Sequence, residues 1–206
     1  MDSLTVVHGF PHQERAAVAE LYDEAFGQKL GLAIPNANKR RALLERHCIP
    51  CCAFVAYRDA RIVGIAGFQT GQSGFVASIG IKHIAHAVGW CHVPRALMFL
   101  SLFHRSPKPQ ELLMDGICVH SSERGSGIGT LLLQSVVEHA RNLGCTSVRL
   151  DVIDTNPRAR MLYERFGFRE TKRHSFSALQ PLLGFGGSST LHFRIGAVAP
   201  GGPQYD

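Results

Sequence analysis

The sequence predicts a mixed α/β fold, and three stretches carry that prediction. Residues 111–119 read as a strand, 124–129 as a glycine-rich turn, 128–143 as a long amphipathic helix and 147–152 as a second strand. That order makes a β-turn-α-β unit, whose two strands run parallel. Upstream, the β-rich runs 52–57 and 61–68 are separated only by Arg58-Asp59-Ala60, a link that favours an antiparallel hairpin. Downstream, Asn156-Pro157 supplies an N-cap and N1 pair for a short helix with Ala159, Leu162, Tyr163 and Phe166 on one face and Gly167 as its stop.

From the N-terminus, residues 4–7 read as a first strand, and 14–26 as a helix with Ala17, Val18, Leu21 and Ala25 on one side and Gly27 at its end. A second helix, from Asn38 to about Cys48, carries Lys39-Arg40-Arg41 and the apolar pair Leu43-Leu44, and Pro50 closes it. The hairpin follows, then a loop over 69–74. Residues 75–103 are apolar and long, cut by Gly80, Gly89 and Pro94 into at least two helical pieces. Ser106-Pro107-Lys108-Pro109 ends that stretch. The strand at 111–119 then places Leu113, Asp115, Ile117 and Val119 on one side. In the long helix Ile128, Leu131, Leu132, Val136, Ala140 and Leu143 recur at helical spacing ahead of Gly144. Val148, Leu150 and Val152 alternate in the next strand. The last strands are expected at 168–174 and 191–198, joined by a loop over 175–190. One domain over 1–198 is expected, with a helical insert at about 72–108 and a loose tail over 199–206.

With 206 residues, 45% of them hydrophobic and 18% charged, the chain fills a core of ordinary size, which excludes wholesale disorder. Lys and Arg number 22 against 16 Asp and Glu, a net charge of +6. No acidic residue occurs between Asp59 and Glu111, whereas Arg61, Lys82, Arg95, Arg105 and Lys108 share that span with His83, His86, His92 and His104. Such a surface suits a phosphorylated ligand, a nucleic acid or an anionic membrane. No nucleic-acid recognition motif accompanies it, so no nucleic-acid partner is expected. Met1-Asp2-Ser3-Leu4-Thr5 lacks the basic start of a signal peptide, and no run approaches the roughly 18 apolar residues of a membrane span. The expectation is a cytoplasmic protein with no transmembrane span and six free thiols. No metal is expected either. Cys48-Ile49-Pro50-Cys51 has no second pair, and His83-Ile84-Ala85-His86 has no third ligand.

Arg124-Gly125-Ser126-Gly127-Ile128-Gly129 lies between a strand and a long helix, where open backbone N–H groups and the helix dipole form an anion site. A dinucleotide-binding turn would have glycine at 130, where Thr130 stands, and a P-loop would have a lysine, which is absent. The turn fits Arg/Gln-x-x-Gly-x-Gly/Ala instead. With the later segment Asn156-Pro-Arg-Ala159-Arg-Met-Leu162-Tyr163-Glu-Arg-Phe-Gly167-Phe168, it resembles the GNAT family of acyl-CoA-dependent N-acetyltransferases. The resemblance implies a mixed, mostly antiparallel sheet with a splayed parallel central strand pair, and acetyl-CoA as cosubstrate. It places pantetheine against the backbone of Ile117, Cys118 and Val119. It places the pyrophosphate on the amides of Arg124, Gly125, Ser126, Gly127, Ile128, Gly129 and Thr130, with Asn156 near the cofactor arm and Tyr163 near the thioester sulfur.

Acyl transfer to an amine needs a neutral nucleophile, a polarised carbonyl and a proton for the departing thiolate. Tyr163 is the candidate acid, the backbone N–H near Val119 the polariser, and Asp115 the candidate base. Tyr163 also suits a core aromatic, Asp115 a substrate-orienting group or an arginine partner, and Asn156 a plain N-cap. Asp151, Asp154 and His120 are weaker candidates. The 75–103 stretch suits an acceptor wall first, a homodimer contact second and a membrane surface third. An acid-free, histidine-rich wall would repel polycations, which favours an amino-acid-like or peptide N-terminal amine as acceptor. The alternative to an enzyme is a non-catalytic acyl-CoA sensor.

Overall fold

The structure is a computed structural model that describes residues 3–76, 79–103, 105–177 and 180–196. Seven strands form one sheet: β1 Leu4–His8, β2 Ala53–Arg58, β3 Arg61–Gln69, β4 Glu111–Val119, β5 Ser147–Ile153, β6 Arg169–Ser175 and β7 Gly187–Arg194. Their order is β1-β2-β3-β4-β5-β7-β6. Only β4 and β5 are parallel, and the remaining neighbours are antiparallel. The sheet is mixed and mostly antiparallel, as expected.

Helices cover both faces. On one lie α1 Arg15–Ala33 and α2 Ala37–His47, with α3 Ile81–Val88 and α4 Val93–Phe103 from the insert. On the other lie α5 Ile128–Asn142 and α6 Pro157–Phe166. Contacts from three glycines fix these faces. A Cβ on Gly64 would meet Ile128 and Leu132 of α5, and Cβ atoms on Gly67 and Gly116 would meet Phe75 and Phe26 of the opposite layer. A short α7 Gln180–Leu183 lies in the stretch expected to be loop.

The main core runs through Val18, Ile65, Phe68, Leu112, Leu132, Val136, Leu150 and Phe168, all fully buried. A second, separate cluster gathers Ala33 and Ile34 with Ile84, Ala87, Ala96 and Phe99 of the insert and Leu183 and Phe185 near α7. The insert therefore folds against the end of α1.

Three expectations are corrected. Gly27 does not end α1, which continues to Ala33. A Cβ at Gly27 would lie 3.0 Å from an Arg40 nitrogen and 3.1 Å from Asp23 Oδ1, so this glycine makes room for the Asp23–Arg40 ion pair. The helix stops one residue before Ile34-Pro35, where proline disfavours helical geometry. The last strand spans Gly187–Arg194, because the polar run Ser188-Ser189-Thr190 pairs with both β5 and β6. Ile195 and Gly196 lie beyond it, and residues 197–206, with the end of the expected strand and the tail, fall outside the described residues. Third, Leu113, Asp115, Ile117 and Val119 do not share a face, for a reason that shapes the site.

Candidate active site

The register between β3 and β4 pairs Gly67 with Gly116 but Phe68 with Met114, leaving Asp115 as the extra residue of a β-bulge. The bulge reverses the alternation. Ile117 and Val119, opposite Ala66 and Gly64, face α5, whereas Asp115 turns to the α1 face, where Gln69 Nε2 donates to its Oδ1. Its Oδ2 is buried and has no partner among the described residues. Gly116 holds φ +150° beside the bulge.

Past Leu113 the parallel pairing ends: β4 and β5 match only over Glu111–Leu113 and Ser147–Arg149, while β5 continues alongside β7 to Ile153. The splayed central pair expected from the sequence is present. His120 N donates to Val63 O on β3 at 2.9 Å. By strand alternation the backbone of Cys118 also faces β3, and that of Ile117 and Val119 faces the gap. Side chains lie against those gap-facing groups. The Ile117 amide is near enough to the Tyr163 phenol to hold its pKa down, and Val119 O accepts from Arg124 Nε at 3.1 Å. Cys118 keeps its place in the register while its thiol is buried.

Tyr163 projects from α6 and is 5% exposed. Burial pushes its pKa up, the nearby Cys118 adds to that, and the neighbouring Ile117 amide opposes it, so the phenol is protonated at neutral pH. Burial also raises the Cys118 thiol. Asp115 is raised to about 6 by burial, with the Gln69 hydrogen bond pulling the other way. Tyr22 of α1 is raised well above its ordinary value by burial, then by Asp115 and Cys118.

The glycine turn divides its labour. Gly125 and Gly127 hold φ +89° and +85° with open space where a Cβ would stand, so they are needed for conformation and leave room for an anion. Gly129 is different: its Cβ would lie 3.0 Å from Leu162 Cδ2, so it lets α5 pack on α6. The Ser126 amide donates to Glu123 O and the Thr130 amide to Gly127 O. Gly127, Ile128 and Gly129 precede the first intrahelical bonds and present their N–H groups outward. These residues fit a pyrophosphate. Arg124 braces the turn through Val119 O and a 3.9 Å approach to Glu24.

Asn156 caps α6, its Oδ1 accepting from the Ala159 amide at 3.2 Å. The weaker candidates have structural work: His120 accepts from the Ser122 amide, Asp154 accepts from the Gly186 amide, and Asp151 accepts from Thr190 and pairs with Arg105 at 3.3 Å.

On the α1 face, beside Asp115, lies a cavity of about 420 Å³. Tyr22, Phe26 and Leu30 of α1 form one side and Ile79, Phe99 and Leu100 of the insert another, with Asp151 and Ser188 across the splay. The insert thus forms one wall of this cavity. The expected histidine lining is corrected, because His83, His86 and His92 are exposed while Ile84 and Phe99 point inward. Tyr22, Phe26 and Gln69 join the site although sequence reasoning passed over them. On α1 the aromatics belong to no motif, and Gln69 read as the start of a loop.

Among the described residues no group of three or more metal-ligating side chains occurs, and no helix is long and apolar enough to cross a membrane. The family model described as Acetyltransferase (GNAT) family matches residues 15–168. A thialysine N-epsilon-acetyltransferase of Bos taurus is 34% identical over 82 residues, 40% of this chain and 47% of that protein. The mouse protein of the same name is 38% identical over 61 residues, 30% of this chain and 36% of its own. The chain thus aligns with about half or less of the length of these curated relatives. Among solved structures, a provisionally assigned acetyltransferase of Salmonella typhimurium with its cofactor acetyl-CoA has a TM-score of 0.61 at 16% identity, covering 98% of this chain and 100% of that one. The ribosomal-protein-S18-alanine N-acetyltransferase of Escherichia coli has a TM-score of 0.56 at 12% identity, covering 94% of each chain. The splayed pair, the glycine turn and the family match over three quarters of the chain agree, and the protein belongs to the GNAT acetyltransferase family.

Proposed function

We propose that the protein is an acetyl-CoA-dependent N-acetyltransferase acting on a primary amine of a small molecule or peptide by direct attack on the thioester. The observation that carries this reading is the use of β4 on two sides. The bulge aims the Asp115 carboxylate into the cavity, while the next residues along offer backbone groups at the gap beside the Tyr163 phenol.

Acetyl-CoA, when bound, supplies an activated acyl thioester. Gly127, Ile128 and Gly129 offer N–H groups to its pyrophosphate. Ile117 and Val119 offer strand-edge backbone to its arm, which Tyr163 and Arg124 vacate as it binds. The Val119 N–H polarises the thioester carbonyl. The acceptor reacts as the neutral amine, its ammonium proton lost to solvent, and Asp115 takes a proton from the nitrogen as it bonds to the carbonyl carbon. Tyr163 gives its proton to sulfur as the carbon–sulfur bond breaks, and solvent then returns both groups to their starting states. A base raised to about 6 is ionised at neutral pH yet basic enough to serve.

Thiol release from acetyl-CoA across amino acids, peptides, polyamines and apolar amines tests the reading. Release with an amine, reduced about 10²-fold or more by Tyr163→Phe and by Asp115→Asn, is the expected result. Acetyl-CoA binding with no acetylated product from any amine would replace the enzyme by a sensor.

A further inference from the structure

The cavity beside Asp115 has a lining that constrains what enters it, and this inference rests on the acetyltransferase reading. Four charged groups border it: Arg40, Arg105, Asp115 and Asp151. Arg40 is consumed by Asp23 and by the carbonyls of Ile34 and Pro35. Arg105 and Asp151 pair with each other at 3.3 Å, and Asp151 also accepts from Thr190. That leaves the Asp115 carboxylate, with a buried Oδ2 that no described group satisfies. A protein seldom leaves a buried carboxylate oxygen without a donor. An acceptor ammonium or amine entering the cavity supplies one.

Most of the remaining lining is hydrocarbon. Phe26 and Leu30, Leu43 of α2, and Ile84, Phe99 and Leu100 of the insert enclose the space. A volume of about 420 Å³ is in the range that takes a small organic molecule, with a few polar groups fixing its orientation. A second ammonium in that space would meet apolar wall or the Arg105–Asp151 pair, whose carboxylate is already engaged by Arg105 and Thr190, and burying it unpaired is costly.

We propose that the acceptor is a primary amine carried on an uncharged, hydrophobic body, aromatic or long-chain aliphatic, with Asp115 holding the nitrogen and the insert helices α3 and α4 gripping the body. The insert then sets specificity, and the exposed histidines take no part.

The test is a series of n-alkylamines from butyl to octyl, with phenylethylamine, lysine and spermidine for comparison, assayed on the full chain with acetyl-CoA. If the cavity grips the body, kcat/KM rises about three- to fourfold for each added methylene until the space is full. Phenylethylamine and octylamine should exceed spermidine. Leu100→Asp should flatten the series while leaving acetyl-CoA binding intact, and the milder Leu100→Ala should weaken the slope even where the charged variant folds poorly. A flat or falling series, or preference for spermidine or lysine, overturns the proposal and leaves the acetyltransferase reading standing. Calorimetric binding of octylamine in the presence of CoA separates the two. Binding that tightens with chain length without turnover upholds the cavity and sinks the enzyme, and no octylamine binding sinks the cavity assignment.

Discussion

The ring of Phe26 occupies the space that a side chain on Gly116 would need, and this contact lies next to the bulge that aims Asp115. The same glycine holds a φ that L side chains rarely adopt. Gly116→Ala is therefore expected to lose about 1–3 kcal/mol by overpacking, with extra cost from backbone strain, and to lower kcat by misdirecting the carboxylate. In a double-mutant cycle, Phe26→Leu should return part of the stability lost in Gly116→Ala. Urea unfolding of the four proteins measures the coupling, and purely additive losses would show that the two residues do not share this space.

Asp115 makes stability and rate respond to pH in opposite senses. The unfolded carboxyl ionises near 3.8 and the folded one near 6, so between those values the folded chain binds the extra proton. Stability from this group is highest below 3.8 and is lost as pH rises through 6, by about 3 kcal/mol at most. Asp115→Asn keeps an acceptor for Gln69 and should be the more stable protein at pH 7.5, with the advantage gone by pH 4. Thermal melts across that range check it. The wild-type kcat/KM should rise about tenfold per unit below pH 6 and then level, because the base must be ionised.

Gly127 and Gly129 of the turn should fail differently. Gly127→Ala forces a left-handed alanine, costs about 1–2 kcal/mol and raises KM for acetyl-CoA by narrowing the anion site. Gly129→Ala pushes on Leu162 instead, so its main effect is on α5–α6 packing and on the placement of Tyr163. Adding Leu162→Ala should recover activity lost in Gly129→Ala and leave the Gly127→Ala defect unchanged. Steady-state KM and kcat on the two backgrounds distinguish the roles.

Asp23 is 5% exposed and pairs with both Arg40 and Arg41, which joins α1 to α2 at the edge of the cavity. Arg40→Met leaves that carboxylate buried with only the more exposed Arg41. Removing one partner of a buried pair costs about 3–5 kcal/mol, and Arg41 should hold the loss toward the lower end. Arg41→Ala alone should cost under about 1 kcal/mol. Chemical denaturation of both variants gives the comparison.

The parts of this protein that depend on local chain chemistry were legible in its sequence. The helix beginning at Ile128, the strand at Glu111–Val119 and the Asn156-Pro157 cap are set by periodicity and capping residues, and each appears where the pattern puts it. What escaped depends on long-range partners. Gly27 reads as a stop because its reason for being small, the Asp23–Arg40 pair, arrives from another helix. Ser188-Ser189-Thr190 reads as loop because those residues become a strand only between two others. The Asp115 bulge exists only in the register with β3, and strict alternation therefore put Ile117 and Asp115 on one face. The histidines of the insert advertise charge in the sequence, whereas the fold turns Ile79, Ile84 and Phe99 toward the cavity.

The two hydrophobic clusters carry a historical consequence. The larger cluster lies under β4 and the helix that follows the glycine turn, and the one built on Ala33, Ile84, Ala96 and Phe99 holds the insert. Substitutions in the second reshape the cavity wall without re-solving the packing of the first. A lineage carrying this architecture is free to explore new cavity shapes one mutation at a time, each trial paid for locally, while the inherited sheet stays in register.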